Sequence, residues 1–174
     1  MVREAIHPSP SWVKANVARI VLEDYIQLLL QLLEMAPEVF FQSTAFPLAF
    51  RASMAALTLI HSDLLFAALD LFRNILTHDS LVPSSTQPAK FAVYATAIKT
   101  VVEKEGFEFV GYLLGGLVGD FPEDSTSMVV SIFRSIAVLF SSQLLSWLPL
   151  VLQQLPTSAA PNEAKEQFMM DVTK

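Results

Sequence analysis

The sequence predicts an all-α fold, specifically an α-solenoid of HEAT- or armadillo-like helical hairpins. Apolar residues recur with the period of a helix along almost the whole chain. The breaks between these stretches are short, and no segment alternates with the period of a strand between turn dipeptides. The stretch from Asp63 to His78 carries the pattern most clearly. Leu64, Leu65, Ala68, Leu69, Phe72, Ile75 and Leu76 share one stripe, with Asp70, Arg73, Asn74 and Thr77 on the opposite side. Helices of this kind, joined by short breaks, bury their apolar faces against one another in a row. Such an architecture works through its surface.

Residues 1–15 read as an irregular lead-in broken by Pro8 and Pro10. The first helix spans 16–36, with Val17, Val21, Tyr25, Leu28, Leu29, Leu32 and Leu33 as its buried stripe, and Pro37 stops or kinks it. Phe40 and Phe41 follow in a short apolar connector. A second helix spans 45–60, with Ser43 or Thr44 as N-cap and Pro47 in the first turn, where a missing N–H costs little. His61-Ser62-Asp63 is a tight junction, and Ser62 caps the third helix, 63–78. Residues 79–88 form an exposed polar loop containing Ser84, Ser85 and Thr86. A fourth helix spans 89–119, with Gly106 as a weak point or a break. Phe121-Pro122-Glu123-Asp124 is a turn whose acids precede a helix start, where the macrodipole favours them. Helix 125–140 buries Val129, Ile132, Phe133, Ile136 and Phe140, and helix 142–155 is interrupted by Pro149. The organisation is three hairpins within 16–156, namely 16–60, 63–119 and 125–155. Residues 157–174 are then a linker and a short C-terminal helix capped by Asn162. The first two hairpins start about 45 residues apart, inside the range of HEAT and armadillo repeats.

Composition narrows the function classes. The chain has 174 residues, is 53% hydrophobic and only 16% charged, where a typical soluble protein is roughly 25% charged. Its mean hydropathy is +0.48. Either the chain enters a membrane or the open ends of its stack are normally covered. Residues 127–152 are the best membrane candidate, but they contain Arg134, Gln143, several serines and Pro149. A central arginine costs about 2.5–3.5 kcal/mol on insertion, and a hairpin broken at Ser141-Ser142 accounts for the stretch without lipid. The net charge of −6, from 17 acids and 11 bases, lacks the basic footprint of a nucleic-acid binder. The absence of cysteine excludes disulfides, thiolate metal sites and thiol catalysis. The first residues lack the apolar core of a secretory signal, so cytoplasm or nucleus is the expected location.

All five glycines lie between 106 and 119. Gly111, Gly115 and Gly119 share a helical face and read as a groove for close approach of a neighbouring helix. No Gly-Lys-Ser/Thr accompanies them and no strand precedes them, which argues against a phosphate loop. His7, His61 and His78 are scattered, and His78 falls in a last turn where a positive charge suits the dipole. Trp12 and Trp147 read as packing residues. No paired carboxylates, Ser-His-Asp set or His-x-x-x-His is evident, so no catalytic residue, metal ligand or cofactor is assigned and no enzyme is expected. Glu103, Glu105 and Glu108 cluster on the fourth helix, with Asp120, Glu123 and Asp124 beyond its end. On a concave face they meet a basic peptide. Otherwise they form a solvated helix surface, diluted by Lys99 and Lys104.

One run of residues carries a family likeness. It passes from Leu28-Leu29-Leu30 to Pro37, then through Phe40-Phe41-Gln42-Ser43, Phe46, Phe50 and Leu57 to Ile60. His61-Ser62-Asp63 and Leu69-Asp70-Leu71-Phe72-Arg73-Asn74-Ile75-Leu76 complete it. This order resembles the C-terminal HEAT repeats of transportin-SR-type nuclear import receptors, in the importin-beta (karyopherin) superfamily. It continues through Gly106, Leu113-Leu114 and Trp147-Leu148 to Leu155-Pro156, and so covers nearly the whole chain from about Val17. The resemblance implies a solenoid whose second helices line a concave surface. It implies carriage of Ser/Arg-rich or similar basic protein cargo through nuclear pores under control of the GTPase Ran, in cytoplasm and nucleus, without direct contact to nucleic acid or membrane. The chain departs from the family in length, in having no helix with several arginines on one face, and in Pro149, where the family continues an unbroken helix. The expectation is therefore a fragment of such a receptor, with Glu103, Glu105 and Glu108 as its partner-binding residues. A helical scaffold or adaptor outside transport is the alternative, and a small membrane protein a further one.

Overall fold

The computed structural model describes residues 10–59, 61–83 and 86–172, with side chains from residue 14 onward. Expectations for His7 and for the Trp12 side chain lie outside that set. The described residues form eight α-helices that pack against one another, and no strand. They are α1 (Pro10–Met35), α2 (Pro37–Gln42), α3 (Phe46–Ala56), α4 (Ser62–Leu76), α5 (Ala89–Val118), α6 (Thr126–Leu139), α7 (Ser141–Gln154) and α8 (Asn162–Val172). Short 3-10 turns, Asp79–Leu81 and Glu123–Ser125, precede α5 and α6.

Helix α4 packs against both α1 and α6, and α5 packs against both the α2–α3 unit and α7. Helix α3 also touches α1 and α4, while α6 touches α5 and α7. In three of these pairings the helices run the same way. Arg19 of α1 meets His61 at the start of α4, and Leu33 and Asn74, near the ends of those helices, line one cleft. Phe41 meets Tyr94 and Phe50 meets Phe109, which sets α2–α3 alongside α5 in the same direction. Glu103 meets Gln143 and Gly106 meets Trp147, which does the same for α5 and α7. Helix α8 has no buried residue and docks through Phe168 on Phe133, with ring centroids 5.7 Å apart, and through Lys165 Nζ donating to the Leu155 carbonyl at 2.5 Å.

The α4 stripe is buried at every expected position, and Ala67 and Leu71 are buried as well. Two apolar neighbours leave α4 little wet surface. In α6, Val129, Ile132 and Ile136 are buried, as is Phe140 just beyond it, while Phe133 is half-buried beneath α8.

Helix α1 differs from expectation. It begins at Pro10, and its buried residues are Ile26, Leu29 and Leu33. Val17, Val21 and Leu28 are more than half exposed and form, with Met35, an uncovered apolar line. Phe40 and Phe41 are not in a connector but in α2, which Pro37 starts after Ala36 leaves helical geometry at φ −144°. Helix α3 ends at Ala56 instead of 60. The N-cap positions of α3 and α4 are Ala45 and His61; Ser43 Oγ still accepts from the Ala45 N–H at 3.1 Å, just ahead of α3, while Ser62 is the first residue of α4 and not its cap. Asn162 is the first helical residue of α8, not its cap. Helix α7 runs unbroken through Pro149, which is exposed, so the carbonyl left without an N–H partner can turn to water.

His78 lies just beyond α4 and is not a dipole-compensating cation. Its Nδ1 accepts from the Ser80 N–H at 3.1 Å, capping the 3-10 turn, and its ring meets Phe41, Tyr94 and Phe91 at 4.9–5.9 Å. Burial pushes its pKa below the ordinary histidine value, against a smaller opposing effect of Asp79.

Helix α5 passes Gly106 without a break because that glycine is a packing site: a Cβ there would collide with the Trp147 indole. Gly116 serves Phe121 in the same way. At Gly111 and Gly115 a Cβ would meet nothing within 4 Å, and at Gly119 only the Gly115 carbonyl. The expected close approach of a helix to Gly111, Gly115 and Gly119 therefore does not occur.

Two outcomes follow for stability. Gly106→Ala lowers Tm through overpacking worth about 1–3 kcal/mol, whereas Gly111→Ala raises it through helix propensity worth about 0.5–1 kcal/mol; thermal melts of the two variants check the opposite signs. Because folding lowers the His78 pKa, the unfolded chain binds the extra proton, and the His78 contribution is full above about 6.5 and is lost as pH falls through the folded value. His78→Asn keeps an acceptor near Nδ1 and should flatten the fall of the urea midpoint as pH drops below about 6.5.

Candidate partner-binding surface

Two clamps fix α5 between its neighbours. Toward α3, Glu105 is 6% exposed and accepts from Arg51 Nε at 2.9 Å and Nη2 at 2.8 Å. This hydrogen bond, and then the Glu105 charge, hold the Arg51 guanidinium above its ordinary pKa; the Glu108 charge adds to them. Toward α7, Trp147 lies over Gly106. Glu105 is thus turned inward and held by Arg51.

The three glutamates do not share a face. Residues two apart on a helix stand roughly 200° apart, so Glu103 and Glu105 point to opposite sides. Glu103 is exposed and accepts from Gln143 Nε2 at 3.4 Å. Glu108 is exposed beside a cleft of about 360 Å³ between α5 and the end of α7, lined also by Tyr112, Val151 and Gln154.

Gly111 and Tyr112 line that cleft and a second one of about 260 Å³. The second lies between the α3–α4 junction and the end of α5, with Gly115, His61, Ser62 and Asp120 on its walls. Gly111 is common to both clefts and Gly115 lines the second; taken together the two make a trough, with Glu108 on the first and Asp120 on the second. Arg19 Nη1 lies 3.0 Å from His61 Nε2. A guanidinium only donates, so Nε2 accepts and the ring proton sits on Nδ1. That Nδ1 is buried and has no hydrogen-bond partner among the described residues.

A scan against protein-family models gives no match, and a search of curated proteins gives none. The trough must be read from its own chemistry. Carboxylates at Glu108 and Asp120, hydroxyls at Ser62 and Tyr112, and an open floor suit a long cationic side chain or a backbone that approaches closely. No group of His, Cys, Asp and Glu among the described residues is placed to hold a metal ion, and none of their helices is long and apolar enough to cross a membrane.

The sequence pattern pointed to α5 but not to the residues that matter on it. Asp120 stood in view as part of an acidic turn. Arg51, the only charged residue of α3, was the available signal that an acid would be drawn inward. Arg51→Ala leaves a buried carboxylate without donors, at a cost of roughly 1–3 kcal/mol. Glu105→Gln keeps an acceptor in place and costs less. Urea unfolding should therefore rank Arg51→Ala below Glu105→Gln in stability.

Proposed function

We propose that this chain is an α-solenoid of HEAT-like hairpins that binds a basic protein partner along α5, as a stretch of an importin-beta-type nuclear import receptor. The support is the order of neighbours. Helix α4 lies between α1 and α6, and α5 between α2–α3 and α7, with α1 parallel to α4 and α2–α3, α5 and α7 parallel to one another. Stacked hairpins produce that order. The uncovered apolar line on α1 fits a surface that another hairpin can cover.

The observation that carries the partner's chemistry is the trough over Gly111 and Gly115, flanked by Glu108 and Asp120. Glu103 extends the acidic surface toward α7, and Glu105 leaves the contact set. Recognition is by shape and charge. Ser/Arg-rich proteins are the cargo class that the family likeness brings, with Ran controlling release in the full-length receptor, in cytoplasm and nucleus.

The test is capture of a Ser/Arg-rich protein by the chain, with and without Ran-GTP. Capture at low salt that weakens as ionic strength rises supports a basic partner, and release by Ran-GTP supports transport. Capture indifferent to Ran-GTP supports a scaffold outside transport. Glu108→Lys with Asp120→Lys is expected to weaken capture about tenfold, or about 1.4 kcal/mol, and Gly115→Leu to weaken it by filling the floor, with Tm close to that of the parent. Capture unchanged in both variants would remove the trough from the reading.

A further inference from the structure

We infer that a second groove, of opposite charge, docks an acidic and apolar peptide segment of another protein. It lies where the end of α4, the 3-10 turn after it, α5 and the second half of α6 meet, and encloses about 530 Å³. Leu81, Val82, Val138 and Leu139 are its apolar walls, and Lys99 and Arg134 its permanent charges.

Three observations select the occupant. First, Val82 and Val138 are 56% and 81% exposed, so the rim holds large apolar side chains in water. Second, Lys99 on α5 and Arg134 on α6 are exposed, and neither makes a hydrogen bond or ion pair with any described residue. Third, no carboxylate lines the groove; Asp79, next in sequence to His78, lines a different cleft with Glu34 and Asp70. In a chain of net charge −6, this is a place where two cations from separate helices face solvent over an apolar wall with no acid to pair them.

Charge complementarity therefore calls for carboxylates, and the rim calls for apolar side chains beside them. A peptide fits better than a small amphiphile. Small-molecule sites bury roughly 70–90% of their ligand, whereas this groove leaves its apolar rim wet. A peptide crossing from α5 to α6 places one acid against each cation while its apolar residues cover Val82 and Val138.

The probe is a fluorescein-labelled peptide alternating Glu or Asp with Leu or Phe, titrated with the full chain by anisotropy. Companion peptides carry amides, or lysines, in place of the acids. The acidic peptide is expected to bind, to weaken with added salt, and to exceed both companions at least tenfold. Lys99→Glu with Arg134→Glu should weaken it at least tenfold, and Val138→Asp should weaken it too, with circular dichroism and Tm unchanged. Equal binding of the amide peptide, equal binding by the charge-reversed variant, or no binding of the acidic peptide overturns the inference. So does displacement of the acidic peptide by dodecanoate at concentrations below the peptide's own Kd.

Discussion

A continuous chain of aromatic rings joins the first half of this protein. Phe40 and Phe41 of α2 contact Phe46, which meets Phe50 of α3; Phe50 meets Phe72 of α4 and Phe109 of α5, and Phe72 and Phe109 stand 4.5 Å apart. Phe50, Phe72 and Phe109 are essentially without exposure. Each well-formed aromatic pair adds roughly 0.5–1.5 kcal/mol beyond its buried area, but the larger effect is geometric. Rings have few rotamers and a fixed thickness, so a seam of them sets the spacing of the four helices that supply it. With α5 placed by the seam, the Arg51–Glu105 pair and the Gly106–Trp147 contact have one register in which both form, and α7 is placed in turn.

Legibility in the sequence varied with the contrast of the pattern. Helix α4 separates apolar from polar residues sharply, so every residue read into its stripe is buried, and only Ala67 and Leu71 were missed. Helix α1 is apolar on more than one side, and a period then cannot say which side is covered. Ile26, Leu29 and Leu33 went in, while Val17, Val21 and Leu28 stayed out. Helix ends were harder still, because Ala45 and His61 close α3 and α4 without a side-chain bond. Ser62, beside His61, gave a false signal, whereas Ser43 does bond the Ala45 N–H just ahead of α3.

The candidate site was legible only as a region. A cluster in sequence is a cluster in space only where helical angles agree, and Glu103, Glu105 and Glu108 fail that condition. Whether an acid turns inward depends on a partner 54 residues away, which no local pattern contains. Net charge is similarly blind. A chain of −6 carries one acidic trough and one groove without any acid, because the positions of Lys99 and Arg134 on adjacent helices are set by packing and not by composition.

The glycines of α5 allow a sharper argument. Each glycine inside a helix costs roughly 0.5–1 kcal/mol relative to alanine. At Gly106 and Gly116 the cost is offset, since rings occupy the space a Cβ would need. At Gly111 and Gly115 no group of the described residues lies within 4 Å of the place a Cβ would take. Two uncompensated glycines on one strip of a continuous helix, near a His61 Nδ1 without a hydrogen-bond partner among the described residues and near Glu108 and Asp120, violate the local rule that the rest of the helix obeys. Such violations concentrate where a surface is used. A partner whose backbone came close to α5 would supply the contact that the described residues lack.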